Sequence, residues 1–157
     1  MPHFYFRDLK LKLQENVYEP REDSELIAKV LERMVKESKG TLLDMGCGSG
    51  ILAIIAAKAG WDVTAADIDF NAVELTRENA KENNVEIKIV HSDLFDSITG
   101  QFDIIVFNLP YIREDQNPKN LAWAGGKEMQ IFSRFIKEAK NYLKPNGKIL
   151  VVFSIIT

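Results

Sequence analysis

The segment Leu42-Leu43-Asp44-Met45-Gly46-Cys47-Gly48-Ser49-Gly50 constrains this chain more than any other. Its apolar start reads as a strand and its alternating glycines as a turn. The periodic apolar stretch that follows, Ile51 to Ala59, reads as a helix. Glycines at alternate positions admit positive φ and let the backbone approach a ligand closely. The helix start offers N–H groups with no partner inside the helix. A glycine turn between strand and helix usually marks a nucleotide site in a doubly wound sheet. The dinucleotide fingerprint would need a glycine where this chain has Ile51. An acid, Asp44, also closes the strand. An acid there suits a ligand with an ammonium group and repels pyrophosphate.

Around this unit, short apolar runs alternate with amphipathic segments. The strands are predicted at Thr41–Met45, Asp62–Ala66, Ile87–His91, Asp103–Phe107 and Lys148–Phe153. The helices are predicted at about Gly50–Ala59, Asn71–Asn83 and Lys127–Leu143, the last packing Ile131, Phe132, Phe135, Ile136, Ala139 and Leu143 on the sheet and ending at Pro145 and Gly147. An earlier helix begins near Asp23 or Ser24, with Leu26, Ile27, Val30, Leu31, Met34 and Val35 on one apolar face. Before it, Leu9, Leu11 and Leu13 alternate with charged residues, as in a short half-exposed strand or arm. Strand–helix alternation with short apolar strands predicts an α/β fold with a parallel sheet covered on both faces. The polar, Pro- and Gly-containing stretch between Tyr111 and Lys127 reads as a substrate lid.

Three further strand ends carry polar groups. Asp67 closes the second strand, at the place roughly 20 residues on where an acid accepts bonds from ribose hydroxyls. Asp93 follows the third, where it can accept from an adenine amino group while Leu94 and Phe95 pack on the ring. Each aspartate alone also suits a helix cap or turn. Three in register behind a glycine turn point to a ligand with an amino acid, a ribose and an adenine, which describes S-adenosylmethionine. The fourth strand runs into Asn108-Leu109-Pro110-Tyr111. The Asn108 side-chain oxygen and a nearby carbonyl can accept both N–H bonds of a planar NH2 group, and an aromatic can pack on its face. Asn and Pro are also common where a strand passes into a loop.

These residues resemble the class I S-adenosylmethionine-dependent methyltransferases, a Rossmann-like family. Within it the chain is similar to the release-factor glutamine methyltransferases, especially their archaeal and eukaryotic branch. Val17 to Ser24 resembles the family's motif before the first helix, Asp44 to Gly50 its cofactor loop, Asn108 to Tyr111 its NPPY, and Trp123-Ala124-Gly125-Gly126 its GG segment. Leu109 departs from NPPY, and the resulting NLPY looks like the ribosomal-RNA adenine dimethyltransferases. The resemblance implies a strand order of 3-2-1-4-5, without the antiparallel pair that normally follows. It implies cofactor contacts at Pro20, Arg21, Asp23, Ser24, Asp44, Gly46, Cys47, Gly48, Gly50, Asp67, Ile68, Asp93, Leu94 and Asn108, and catalytic roles for Asn108, Leu109, Pro110 and Tyr111. It implies methyl transfer to the side-chain amide of a protein glutamine, in the Gly-Gly-Gln motif of a peptide chain release factor. It also implies partnership with a small zinc-binding activator subunit, by strand addition near the third strand.

Composition narrows the alternatives. The chain has 157 residues, enough for one domain, with residues 1–22 as an N-terminal arm. The net charge of −3 offers no general polyanion footprint, against a dedicated nucleic-acid binder. An amino-group methyltransferase acting on adenine or guanine in RNA or DNA stays open, because an amide and an exocyclic amine present the same NH2. An inactive cofactor-binding domain, or a subunit that needs a partner, also stays open. The sequence stops at Thr157, so its last strand reads as an apolar edge that natural proteins avoid. That edge predicts a truncated end, self-association or a cover from another chain. One cysteine, Cys47, excludes an internal disulfide and reads as a packing residue. Two histidines and one cysteine, widely spaced, make no metal cluster. With no signal peptide and no membrane-length apolar run, a cytoplasmic location is expected.

Overall fold

A computed structural model describes residues 2–109 and 127–152. Two strands, β1 (His3–Phe6) and β2 (Leu9–Lys12), form an antiparallel hairpin. Then come α1 (Glu22–Glu37), β3 (Thr41–Met45), α2 (Ile51–Lys58), β4 (Asp62–Asp67), α3 (Phe70–Glu82), β5 (Lys88–His91), β6 (Phe102–Asn108), α4 (Lys127–Ala139) and β7 (Leu143–Val152). The central sheet has the order β5-β4-β3-β6-β7 and all four pairings are parallel. This is the expected 3-2-1-4-5 order.

Side chains alternate across the sheet and divide the core in two. Leu42, Val63, Ala65, Ile104 and Val106 face a layer made by the hairpin, α1 and α2. Leu43, Met45, Ala66, Ile105 and Phe107 face the other way, onto Phe135 and Ala139 of α4 and onto Phe95 and Ile98. With both faces covered, the strands read as continuous apolar runs. Helix α2 is buried along most of its length, which explains why it is apolar all round.

The half-exposed strand expected around Leu9 and Leu11 is β2, with both leucines buried, and it pairs with β1 through a turn in which Arg7 takes a left-handed φ of 52°. Three expectations need correcting. Helix α1 starts at Glu22 after an N-cap at Arg21 that makes no side-chain cap bond. Of its proposed apolar face, Leu26 and Val30 are exposed, because Ile27, Ala28, Leu31 and Val35 take the buried stripe. Helix α4 ends at Ala139, and Ile136 on it is exposed. The chain turns after Ala139 because the Tyr142 carbonyl accepts from the Phe102 amide at 2.8 Å, while the Tyr142 ring stacks on Phe95 at 4.5 Å. Leu143, Pro145 and Gly147 therefore lie in β7, at an irregularity where the register jumps from Phe102↔Leu143 to Ile104↔Lys148.

The hairpin is joined to α3 by two asparagines one helical turn apart. Asn79 Oδ1 accepts from the Lys12 amide at 2.7 Å, and its Nδ2 donates to the carbonyls of Lys12 at 3.1 Å and Ser49 at 2.8 Å. Asn83 repeats the pattern on Lys10, at 3.2 and 2.9 Å. The two side chains thus supply the partners that a further strand would give β2. Asn79 is fully buried and also reaches the glycine turn. Asn79→Ala strands buried backbone groups, and unfolding in urea is expected to show a loss of about 3 kcal/mol. A loss below about 1 kcal/mol would remove Asn79 from this role.

Candidate active site

The sheet order reverses between β3 and β6, so a crevice opens outside their carboxyl ends. It holds a cavity of about 560 Å³, within the range of small-molecule sites. Successive strand ends furnish its polar lining: Asp44 from β3, Asp67 from β4, Asp93 after β5 and Asn108 from β6.

Asp44 is buried, and its Oδ2 accepts from the Ala53 amide at 3.1 Å. Gly50, the N-cap of α2, has no side chain to offer that amide, so Asp44 caps the helix from the neighbouring strand. Burial pushes its carboxyl up to about 8, against the pull of the Ala53 bond. An acid held protonated by burial becomes a carboxylate when a cationic group arrives, which suits a ligand ammonium. The turn above it is fixed from several sides. The amides of Gly46 and Cys47 donate to the Ala66 carbonyl, and Thr76 Oγ1 donates to the Gly48 carbonyl at 2.9 Å. Gly48 has φ 54°, and a Cβ there would point into nearly open space, 3.9 Å from the Tyr18 carbonyl. Gly50 has φ 87°, and a Cβ there would strike Thr76 at 2.9 Å. The first glycine keeps the backbone bare toward the cavity; the second lets α2 close on α3.

Asp67 holds the amide of Gly48 at 3.0 Å with Oδ2 and that of Asp69 at 2.9 Å with Oδ1. These bonds use two of a carboxylate's four acceptor positions and leave two for ligand hydroxyls. Burial raises its pKa above the ordinary value, opposed by those bonds. Asn108 donates from Nδ2 to Ser24 Oγ at 3.2 Å. Its Oδ1 is buried and has no partner among the described residues. An orphaned buried acceptor destabilises a fold by about 1–3 kcal/mol and calls for an explanation. Asn108 lies at the end of β6, in the cavity lining.

Most of the residues predicted to contact a cofactor meet in this one cavity: Pro20, Ser24, Asp44, Gly46, Cys47, Gly48, Asp67, Ile68, Asp93, Leu94 and Asn108. Arg21, Asp23, Gly50 and Leu109 are not among its lining. Arg21 is exposed at the start of α1. Asp23 instead accepts from Tyr18 Oη at 2.9 Å, and so secures a residue that does line it. Leu109 is buried in the core beside Phe107. Pro110, Tyr111, the lid and the Trp123 to Gly126 segment lie outside the described residues. Burial raises the Cys47 thiol, in keeping with a packing residue.

Sequence reasoning missed Val17, Tyr18, Gln130, Ile131 and Arg134 as lining residues. Arg134 stands one turn beyond Gln130 on α4, and nothing in the linear pattern brings that helix to the glycine turn. No group of three or more potential metal ligands occurs among the described residues.

The family profile described as Methyltransferase small domain matches residues 19–155. A Methanocaldococcus jannaschii protein provisionally named protein N5-glutamine methyltransferase is 42% identical over 156 residues, covering 95% of this chain and 78% of its own length. The release factor glutamine methyltransferase of Lactococcus lactis subsp. lactis is 40% identical over 158 residues, covering 92% of this chain and 58% of its own length. The chain thus spans somewhat over half of that bacterial enzyme. Among solved structures, ribosomal protein L11 methylase from Lactobacillus delbrueckii subsp. bulgaricus superposes with a TM-score of 0.69 at 25% identity, over 88% of this chain and 64% of that one.

The buried acid makes stability depend on pH. Folded Asp44 keeps its proton up to about 8, whereas the unfolded residue loses it near 3.8. Between those values the folded state binds more protons, so stability falls as pH rises, by up to about 1.4 kcal/mol per pH unit. Asp67, also raised, adds a slope of the same sign. Asp44→Asn removes the larger contribution. Unfolding followed from pH 5 to 8 is expected to show the variant gaining on the wild type as pH rises; parallel curves would refute the assignment.

Proposed function

We propose, on the premise that this chain belongs to the methyltransferase small domain family, that it transfers a methyl group from S-adenosylmethionine to the side-chain amide of a glutamine in a peptide chain release factor. The observation that carries the reading is the orphaned Oδ1 of Asn108, buried at a strand end in the cavity lining. The names of the archaeal and bacterial relatives support glutamine and a release factor. Residues 1–157 act in this reading as one methyltransferase domain in the cytoplasm. Among the described residues no helix is long and apolar enough to cross a membrane.

The cavity's own features fit the cofactor. Asp44 would hold the ammonium, Asp67 the ribose and Asp93 the adenine amino group, while Pro20, Ile68 and Leu94 would give apolar surface. When bound, the cofactor supplies an electrophilic methyl on a positively charged sulfur. The protein's task is then alignment, since an amide nitrogen is a poor nucleophile with a delocalised lone pair. Ser24 accepts from Asn108 Nδ2 and thereby turns Oδ1 toward the substrate. Oδ1 and the Leu109 carbonyl would accept the two amide N–H bonds, and the resemblance to the NPPY motif gives Pro110 and Tyr111 a part in catalysis. Transfer of the cofactor's methyl to the nitrogen, with the sulfur as leaving group, would make the N–H groups more acidic. The same acceptors therefore hold the transition state more strongly than the ground state. A proton then leaves the nitrogen for solvent.

A small zinc-binding activator subunit is part of this reading. Its support is β5, which ends the sheet, and the exposed Ile68 and Phe70 beside it. His91 joins these, through its ring to the Ile68 carbonyl at 2.8 Å and edge-on to Phe70 at 5.9 Å. Amide hydrogen exchange on adding the activator is expected to slow at Lys88–His91; unchanged exchange there would reject this docking edge.

Intact mass of a purified release factor, incubated with this chain, the activator and S-adenosylmethionine, is expected to rise by one methyl that maps to the Gly-Gly-Gln glutamine. No gain from a preparation that binds the cofactor would turn the reading toward another amino-group substrate. Asn108→Ala is expected to lower turnover at least about a hundredfold with cofactor affinity kept within about threefold. Asp67→Ala is expected to weaken cofactor binding about tenfold or more. Equal loss of binding and turnover in Asn108→Ala would contradict this division of roles.

A further inference from the structure

Arg134 is the basic residue of the cavity lining, and its guanidinium is engaged at all three nitrogens. Nη1 donates to Asp93 Oδ1 at 2.9 Å, Nη2 to Asp96 Oδ1 at 2.8 Å and Nε to Glu138 Oε1 at 2.9 Å. Nη2 also lies 3.4 Å from the Asp93 carbonyl. The three carboxylates come from two places: Glu138 from the next turn of α4, and Asp93 and Asp96 from the loop after β5. A planar fork held on one side by its own helix presents its remaining donors in a fixed direction. Among the described residues Asp93 Oδ2 has no partner, so the fork fixes the carboxylate through one oxygen and leaves the other for a ligand.

We infer that Arg134 is a positioning residue for base recognition: it orients the Asp93 side chain toward an exocyclic amino group of the bound nucleoside. The inference rests on the nucleoside-cofactor reading above and adds a specificity element carried by α4. A free aspartate on a loop rotates and can turn either face to the base. The contacts of Arg134 to Asp93 Oδ1 and to the Asp93 carbonyl hold the carboxylate in one orientation. A purine with an amino group at this edge donates to it; a purine with a keto oxygen there sets acceptor against acceptor. The surroundings agree. Leu94, next to Asp93, is held at a φ of 47° and is buried, and the Ser92 hydroxyl donates to the Leu94 carbonyl at 2.7 Å. The loop backbone is therefore pinned, and Arg134 holds the carboxylate that this loop contributes to the cavity lining.

The position of Arg134 gives this clamp a second consequence. Gln130, Ile131 and Arg134 all line the cavity from α4, the helix packed through Phe135 against Phe107 at 4.8 Å. Phe107 precedes Asn108. The residue that sets base recognition is thus carried by the helix that backs the amide-gripping strand.

The test is calorimetric binding of S-adenosylhomocysteine and S-inosylhomocysteine, which differ at the amino or keto group of the base. The full chain is expected to prefer the adenosyl ligand by about tenfold or more, the value of one hydrogen bond to a charged group. Arg134→Ala is expected to reduce that preference to about threefold or less. Arg134→Lys, which keeps the charge but loses the fork, is expected to fall between. A residue with a merely structural role would weaken both ligands alike and leave their ratio at the wild-type value, and that result would overturn the inference. Arg134 is on the surface, and a thermal midpoint near that of the wild type confirms that the variants fold. Failure of the wild type to bind either ligand would remove the nucleoside reading and this proposal together. Binding by the wild type with no change of ratio in both variants would remove the proposal alone.

Discussion

The bond from the Ala53 amide to Asp44 is the contact on which the site depends. It joins the carboxyl end of the central strand to the first turn of α2, and so sets the path of the glycine turn between them. A capping side chain at Gly50 would serve the helix equally well, but only by placing a Cβ against Thr76. Moving the cap to the strand leaves the turn free of side chains where a ligand must approach. The turn's other supports follow from this choice. Thr76 and Asn79, both on α3, take the carbonyls of Gly48 and Ser49, and Asp67 takes the amide of Gly48. Through Asn79 the brace extends to the N-terminal hairpin, which makes that hairpin part of the site's foundation.

The cost of the arrangement is visible in two buried groups. Asp44 is driven toward its neutral form by desolvation, and Asn108 keeps an acceptor without a donor among the described residues. Neither is needed to close the core, since the apolar faces of β3 and β6 pack without them. Groups that weaken the empty fold while facing one cavity are what a binding site requires, because their compensation arrives with the ligand. Arg134 differs. Its three carboxylate partners leave it satisfied without a ligand, which fits a residue that orients another.

Legibility in the sequence follows from how local each cause is. The strand ends and the glycine turn were readable because residue type, turn and acid lie within a few positions of one another. The strand order came from resemblance, and the parallel pairings agree with it. What escaped notice depends on contacts distant in sequence. The hairpin's burial rests on Asn79 and Asn83, some 70 residues away. Leu26, Val30 and Ile136 fit a helical period yet face solvent, because a period gives a stripe but not its width. Pro145 and Gly147 are good helix terminators, but the Tyr142 stack on Phe95 ended α4 before they could act. Arg134 carried no motif at all, since its role comes from the sheet bringing α4 beside the loop after β5.

A parallel sheet explains why so few residues suffice. All its strands end on the same side, so a single polar residue at each end adds one contact to a common crevice. In an antiparallel sheet alternate strands would spend theirs on the opposite rim. Here Asp44, Asp67 and Asp93 give that crevice an acidic lining, which Asp69 extends and Arg134 only partly offsets. Such a lining suits a ligand bearing an ammonium, whose arrival turns the buried, neutral Asp44 into a carboxylate.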